Sequence, residues 1–122
     1  DRQGAFKMTE ADVYSLIGAL ADGQVYPGVV PLNSQGEPAV AQPWIIFTLV
    51  DQTYGDTFCG PAEENTSLQV DVYASSVDEA RALREEAIAA LTPLGFTRIS
   101  KTGGYEPETG LRRATFEVHI LQ

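Results

Sequence analysis

Cysteine and histidine each occur once in the 122 residues, as Cys59 and His119. One thiol forms no internal disulfide, so folding is expected to need no oxidising compartment. With a single imidazole, a single thiol and no glycine-rich phosphate loop ahead of a helix, the usual catalytic constellations are not assembled. Basic residues are also few: eight Lys and Arg stand against seventeen Asp and Glu, a formal net charge of −9. Unspecific attraction to nucleic acid phosphates or to anionic lipid is therefore electrostatically disfavoured. No apolar run approaches the roughly 18 residues needed to cross a bilayer.

What is present describes a packed domain. Apolar residues make up 43% of the chain and charged residues 20%, a globular composition well away from that of disordered segments. A chain of this size is normally one domain, burying roughly two thirds of the surface of its extended form. Asp1 to Lys7 lack the apolar centre of a secretory signal and precede Met8, so residues 1–8 are read as an expression remnant and start, and residues 9–122 as a single α+β domain. Asn65-Thr66-Ser67 fits a glycosylation acceptor but has no meaning without secretion.

Thr9-Glu10-Ala11-Asp12 can cap a helix, and Val13, Leu16, Ile17 and Leu20 follow at helical spacing, predicting a helix from about Thr9 to Asp22 that stops near Gly23. Gln24 to Pro27 suits a short edge strand, after which Gly28, Pro31, Asn33, Gly36 and Pro38 predict a connecting loop through position 42. Trp44 to Val50 is a strand led by a proline, with Ile45, Phe47 and Leu49 on one side and Trp44, Ile46 and Val50 on the other; both faces want cover. Residues 53–66 lack periodicity and are expected to form an excursion between strands. Leu68, Val70 and Val72 alternate with Gln69, Asp71 and Tyr73 as a half-buried antiparallel strand.

Ser76-Val77-Asp78-Glu79 reads as a capping box opening a second helix, whose stripe is Val77, Ala80, Leu83, Ala87, Ile88 and Leu91, ended by Pro93 and Gly95. Phe96 to Lys101 and Leu111 to Leu121 form a terminal strand pair, with Gly103 to Gly110 as an exposed loop between them. The order α-β-β-β-α-β-β predicts an α+β fold: a mostly antiparallel sheet of about four to five strands with two amphipathic helices on one face.

The remaining chemistry-bearing residues have plain readings. His119 beside Glu117 reads as a solvated or interface residue. Cys59 lies among acids, which raise a thiol's pKa rather than activate it. Asp51, Asp56, Glu63 and Glu64 flank one loop but form no calcium-binding ladder. Gly103-Gly104 reads as a turn, and Arg112-Arg113 as edge protection or a contact for a phosphate or carboxylate. Two rival functions remain: a ligand- or peptide-binding module lined by Tyr14, Tyr26, Trp44, Tyr54 and Tyr73, and an enzyme using Asp51 and Asp71. No cofactor, metal site or catalytic residue is expected.

Three segments carry a likeness to a known family: Gln24 to Pro31 after the first helix, the proline-led aromatic strand Pro43 to Phe47, and Leu68 to Ala74 followed by a helix rich in alanine and glutamate. On these, the chain from about Thr9 to Gln122 resembles the tail completion or tail terminator proteins of long-tailed phages and prophages; segments 32–42 and 54–65 follow no pattern in that family. The resemblance implies a non-enzymatic virion protein, assembled in the bacterial host cytoplasm. It implies a ring, six-fold, that caps the tail tube, meets the head connector proteins and lets DNA pass without specific binding. Since the helices cover one face of the sheet, Trp44, Ile46 and Val50 are expected at the contact between copies or with the tube, together with Tyr54, Phe58, Arg112 and Arg113. The competing expectation is that the protein's own long loops form a third covering layer.

Overall fold

The computed structural model describes residues 9–54, 63–107 and 109–121, and their side chains except at 51–54, 63–65 and 121. Its elements follow the expected order: helix α1 (Glu10–Ile17), strands β1 (Val25–Pro27), β2 (Trp44–Tyr54) and β3 (Glu63–Ala74), helix α2 (Val77–Ala90), and strands β4 (Arg98–Glu106) and β5 (Leu111–Leu121). The strands form one mixed sheet in the order β1-β2-β3-β5-β4, antiparallel except for the β1–β2 pair.

Both helices start where their caps are. Thr9 Oγ1 accepts the Asp12 N–H, and Asp12 Oδ2 accepts the Thr9 N–H at 2.9 Å, closing a reciprocal box. At α2 the box is half made: Ser76 Oγ accepts the Glu79 N–H at 3.1 Å, while the Glu79 carboxylate is taken by the Ser75 hydroxyl. α1 is shorter than the apolar spacing suggests. It ends at Gly18, and Leu20–Gly23 forms a separate 3₁₀ turn in which Ala21 and Asp22 take left-handed backbone angles, φ 51° and 54°. Leu20 still packs on the core, which is why the spacing looks continuous in sequence.

Helices and sheet meet in one main core. Val13 and Ile17 of α1 and Ala80, Leu83 and Ala87 of α2 enclose Ile45, Phe47, Leu68, Val70, Val72, Phe116 and Val118 from alternating positions of the three central strands. Both helices therefore lie on one face, as expected. Val77, placed by its spacing on the buried stripe of α2, is 40% exposed, because it borders an open groove between that helix and β4.

The chain between β1 and β2 crosses the opposite face. A parallel pair needs a crossover of a dozen or more residues, and here it contains no helix. Instead it is tied to itself: the Asn33 side chain accepts from Gln35 and Glu37 N–H at 2.9 and 3.0 Å, Ala39 N–H donates to Pro31 at 2.7 Å, and Leu32 bridges Pro38. Gly28 N–H donates to Phe47 at 2.9 Å, and the Gln24 amide donates to the Ala41 and Pro43 carbonyls at 2.7 and 2.8 Å, fixing both ends to the sheet.

The limits of β2, β3 and β4 differ from the expectation. β2 and β3 continue in register through Tyr54 and Glu63, so residues 53–54 and 63–66 of the expected excursion are paired strand, and 55–62 lie outside the described residues. β4 begins later than expected and runs on through Gly103, Gly104 and Tyr105 to Glu106, so the glycine pair lies within a strand and is not a turn. Pairing with β5 carries the strand through both glycines, and Gly104 leaves room for the Arg113 guanidinium, 2.6 Å from where a Cβ would lie.

Candidate assembly surfaces

On the face turned away from the helices, pairing sets the side chains in four rows across β2, β3, β5 and β4. The rows are Trp44, Tyr73, Arg113, Gly104; then Ile46, Asp71, Thr115, Thr102; then Thr48, Gln69, Glu117, Ser100; then Val50, Ser67, His119, Arg98. One end of this face is aromatic and apolar, and the other is polar. The β1–β2 crossover covers the apolar end. Val30 and Leu111 complete a second, smaller core with Trp44 and Ile46, and Tyr26, Val40 and Tyr73 pack around it.

Trp44 and Tyr73 are stacked with ring centroids 5.6 Å apart. Beside them Arg113 Nη1 donates to Glu106 Oε2 at 2.7 Å, lying in the space that Gly104 leaves. Burial pushes the Tyr73 hydroxyl above its ordinary range, more than its hydrogen bond with Arg113 pulls it down, and that bond together with nearby negative charge raises Arg113 further. A raised tyrosine pKa means that the folded state holds the proton more tightly than the unfolded state, so stability is full below the unfolded value of 10.0 and falls as pH rises through the folded one. The stability of the native sequence is therefore expected to fall faster above pH 10 than that of Tyr73→Phe, measured by urea unfolding at a series of alkaline pH values. Parallel curves would show that Tyr73 is not the titrating group.

The polar rows are linked by short bonds. The Thr115 hydroxyl donates to Asp71 at 2.6 Å, Gln69 donates to the same carboxylate at 3.1 Å, and Ser67 Oγ lies 3.2 Å from His119 Nδ1. His119 is thus half-buried and partnered rather than simply solvated. Among the described residues, no group of three His, Cys, Asp or Glu side chains could hold a metal ion.

The second surface lies on the helix side, where α2 leaves β4 uncovered. A groove of about 580 Å³ runs between Val77, Ala80, Arg81 and Arg84 of α2 and Lys101 to Tyr105 of β4, with Arg112 at its edge. Its cations are held differently. Arg84 is nearly buried, 12% exposed, and its guanidinium donates to the Thr102 carbonyl at 2.9 Å. Lys101 pairs with Glu85 at 3.1 Å, and Arg112 lies 4.5 Å from the centre of the Tyr105 ring. Arg81 is exposed and makes no ion pair or side-chain hydrogen bond with any described residue.

These cations are part of an asymmetry along the chain. Residues 9–80 contain no lysine or arginine at all; the six basic residues beyond position 8 are Arg81, Arg84, Arg98, Lys101, Arg112 and Arg113. The sheet order puts β4 and β5, with α2 packed on β3 and β5, towards one side of the domain and β1 with α1 towards the other, while the crossover runs from β1 over the opposite face as far as Leu111. The net charge conceals this division, and a count of bases by position reveals it.

Of the residues expected at an assembly contact, the structure divides the set. Trp44 and Ile46 are 5% and 7% exposed, enclosed by the protein's own crossover, so the third covering layer supplies the cover that a neighbouring copy was expected to give. Val50, beyond the reach of the crossover, is 43% exposed. Arg112 is exposed, whereas Arg113 is half-buried and already paired with Glu106. β5 lies between β3 and β4, so neither arginine protects a sheet edge. Tyr54 ends β2, and Phe58, Cys59 and Asp56 lie outside the described residues. Of the five aromatic residues of the rival ligand-binding reading, Trp44, Tyr73 and Tyr26 do gather, but Val30, Val40 and Leu111 pack among them, while Tyr14 is 46% exposed on α1.

Comparison with known proteins places this geometry in context. Residues 10–122 match the family model described as tail completion protein gp17. No curated protein matches the chain. Among solved structures, a chain of the virion of a native gene transfer agent (GTA) particle is similar, at 14% identity and a TM-score of 0.48, over 93% of this chain and 87% of that one.

Proposed function

The chain belongs to the tail completion protein gp17 family, and from that membership we propose that it is a non-enzymatic structural component of a phage or prophage tail, forming a six-fold ring that caps the tail tube and joins it to the head connector. The match over residues 10–122 carries this reading, since it spans the whole described domain. Its partners are further copies of itself, the tail tube protein and the connector proteins, and it is assembled in the host cytoplasm before entering the virion tail.

Two physical features support the assignment. Tyr14, Val29, Leu32 and Val50 are exposed apolar side chains at or near the β1–β2 side of the domain, the kind of surface that association removes from water. The charge of −9 suits a passage for DNA, because a wall that repels phosphate does not retain the duplex. Val50 and Arg112 are the contact residues of this proposal. Trp44 and Ile46 act indirectly, by seating the crossover.

Solution mass against protein concentration, with electron microscopy in the presence of tail tube protein, tests the reading. Closed rings and tubes capped at one end are expected. A protein that stays monomeric at every concentration and leaves tubes growing would overturn it.

A further inference from the structure

We propose that copies of this chain dock head to tail, the basic groove between α2 and β4 of one copy receiving the acidic side of the next, formed by α1, β1 and the β1–β2 crossover. The inference rests on the ring reading above and adds the surfaces that make the joint. Three observations carry it. First, positive charge is segregated: all basic residues after position 8 lie on α2, β4 and β5, where six acids accompany them but none lines the groove, whereas α1, the turn after it and the crossover offer exposed Glu10, Asp22 and Glu37 with no base among them. Second, each surface has exposed apolar residues beside its charges, Val77 and Tyr105 at the groove, Tyr14 on α1 and Leu32 on the crossover, so apolar surface and charge are available to match together. Third, Arg81 lines the groove, and among the described residues it has no partner while Arg112 is engaged only by the face of Tyr105.

The groove lies at the β4 end of the strand order β1-β2-β3-β5-β4 and β1 at the other, with the crossover reaching from β1 over the face between them. A contact between them joins different patches on the two copies, and such heterologous contacts propagate until they close as a ring. A two-fold pairing of groove with groove would instead bring like charges together, which opposes association. Attraction of this kind weakens with salt, as the screening length shortens from about 10 Å at 0.1 M to about 3 Å at 1 M.

Charge reversal on the full chain tests the proposal. One variant carries Arg81→Glu and Arg112→Glu, and a second carries Glu10→Lys and Glu37→Lys; each is checked for native melting and then followed by sedimentation velocity across concentration. Each alone is expected to associate about 100-fold more weakly than the native chain, since each then presents like charges at every joint. Their equimolar mixture is expected to recover assembly, because alternating copies restore opposite charges at both kinds of joint. Should a reversed variant fail to fold, the neutral pairs Arg81→Gln with Arg112→Gln and Glu10→Gln with Glu37→Gln give the single-variant losses. Native rings that both reversed variants form equally well, or a mixture no better than either variant, would overturn these surfaces and leave the ring standing. A native chain that never associates would overturn both.

Discussion

Replacing Trp44 with alanine is expected to lower the free energy of unfolding by about 3–5 kcal/mol, the range for removing a large aromatic side chain from a core. The expectation follows from the side chain's position. Trp44 is 5% exposed and stacked on Tyr73, and it is the largest member of a small cluster whose other side is the β1–β2 crossover. Its loss removes the seat for Val30 and Val40, leaving the crossover held by its end bonds and its internal turn. Against the roughly 5–15 kcal/mol that stabilises a typical domain, such a loss is large. Urea unfolding with an unchanged slope measures it. A change below about 1 kcal/mol coupled with loss of assembly would return Trp44 to a contact between copies.

Phe116→Ala is expected to cost a similar 3–5 kcal/mol, about as much as any single truncation in the main core. Phe116 is fully buried on β5, opposite Val70 of β3, in the cluster shared with both helices. Gln69 lies beside Val70 on the same strand but points to the other face and is exposed, so Gln69→Ala is expected to stay within about 0.5 kcal/mol. The pair therefore tests the assignment of faces, since a one-residue slip of β5 would turn Phe116 outward and one of β3 would turn Gln69 inward. Thermal or denaturant melts of the two variants against the native chain decide it.

The elements that sequence made legible are those specified by local chemistry. Thr9 and Ser76 begin helices because their hydroxyls satisfy free N–H groups three residues on, and alternation in Leu68, Val70 and Val72 identifies a buried strand face without reference to the rest of the chain. The limits that were missed depend on distant partners. Glu63 to Thr66 has no apolar alternation, yet pairing with β2 carries the strand through it. Gly103-Gly104 has turn composition, yet pairing with β5 carries the strand through it, and the room at Gly104 is taken by an arginine nine residues later in sequence and adjacent to it in the sheet.

The candidate contact was legible only in outline. Sequence identified correctly that Trp44 and Ile46 lie on a second apolar face, but which surface covers that face depends on the path of residues 28–43. Their glycines and prolines mark a loop and say nothing of its direction. Asn33, with two backbone N–H groups donating to its side chain, holds that loop in a shape that lies over the sheet. The segregation of charge, by contrast, was present in the sequence throughout, in the absence of any base between positions 9 and 80.

The chain has one tryptophan, and it sits under the crossover. Lifting of that segment, whether by a tube, a connector or denaturant, would admit water to the indole and move its emission to longer wavelength while the helices and the main core remain intact. The native protein thus carries its own optical reporter for the crossover's position, readable during assembly without a label.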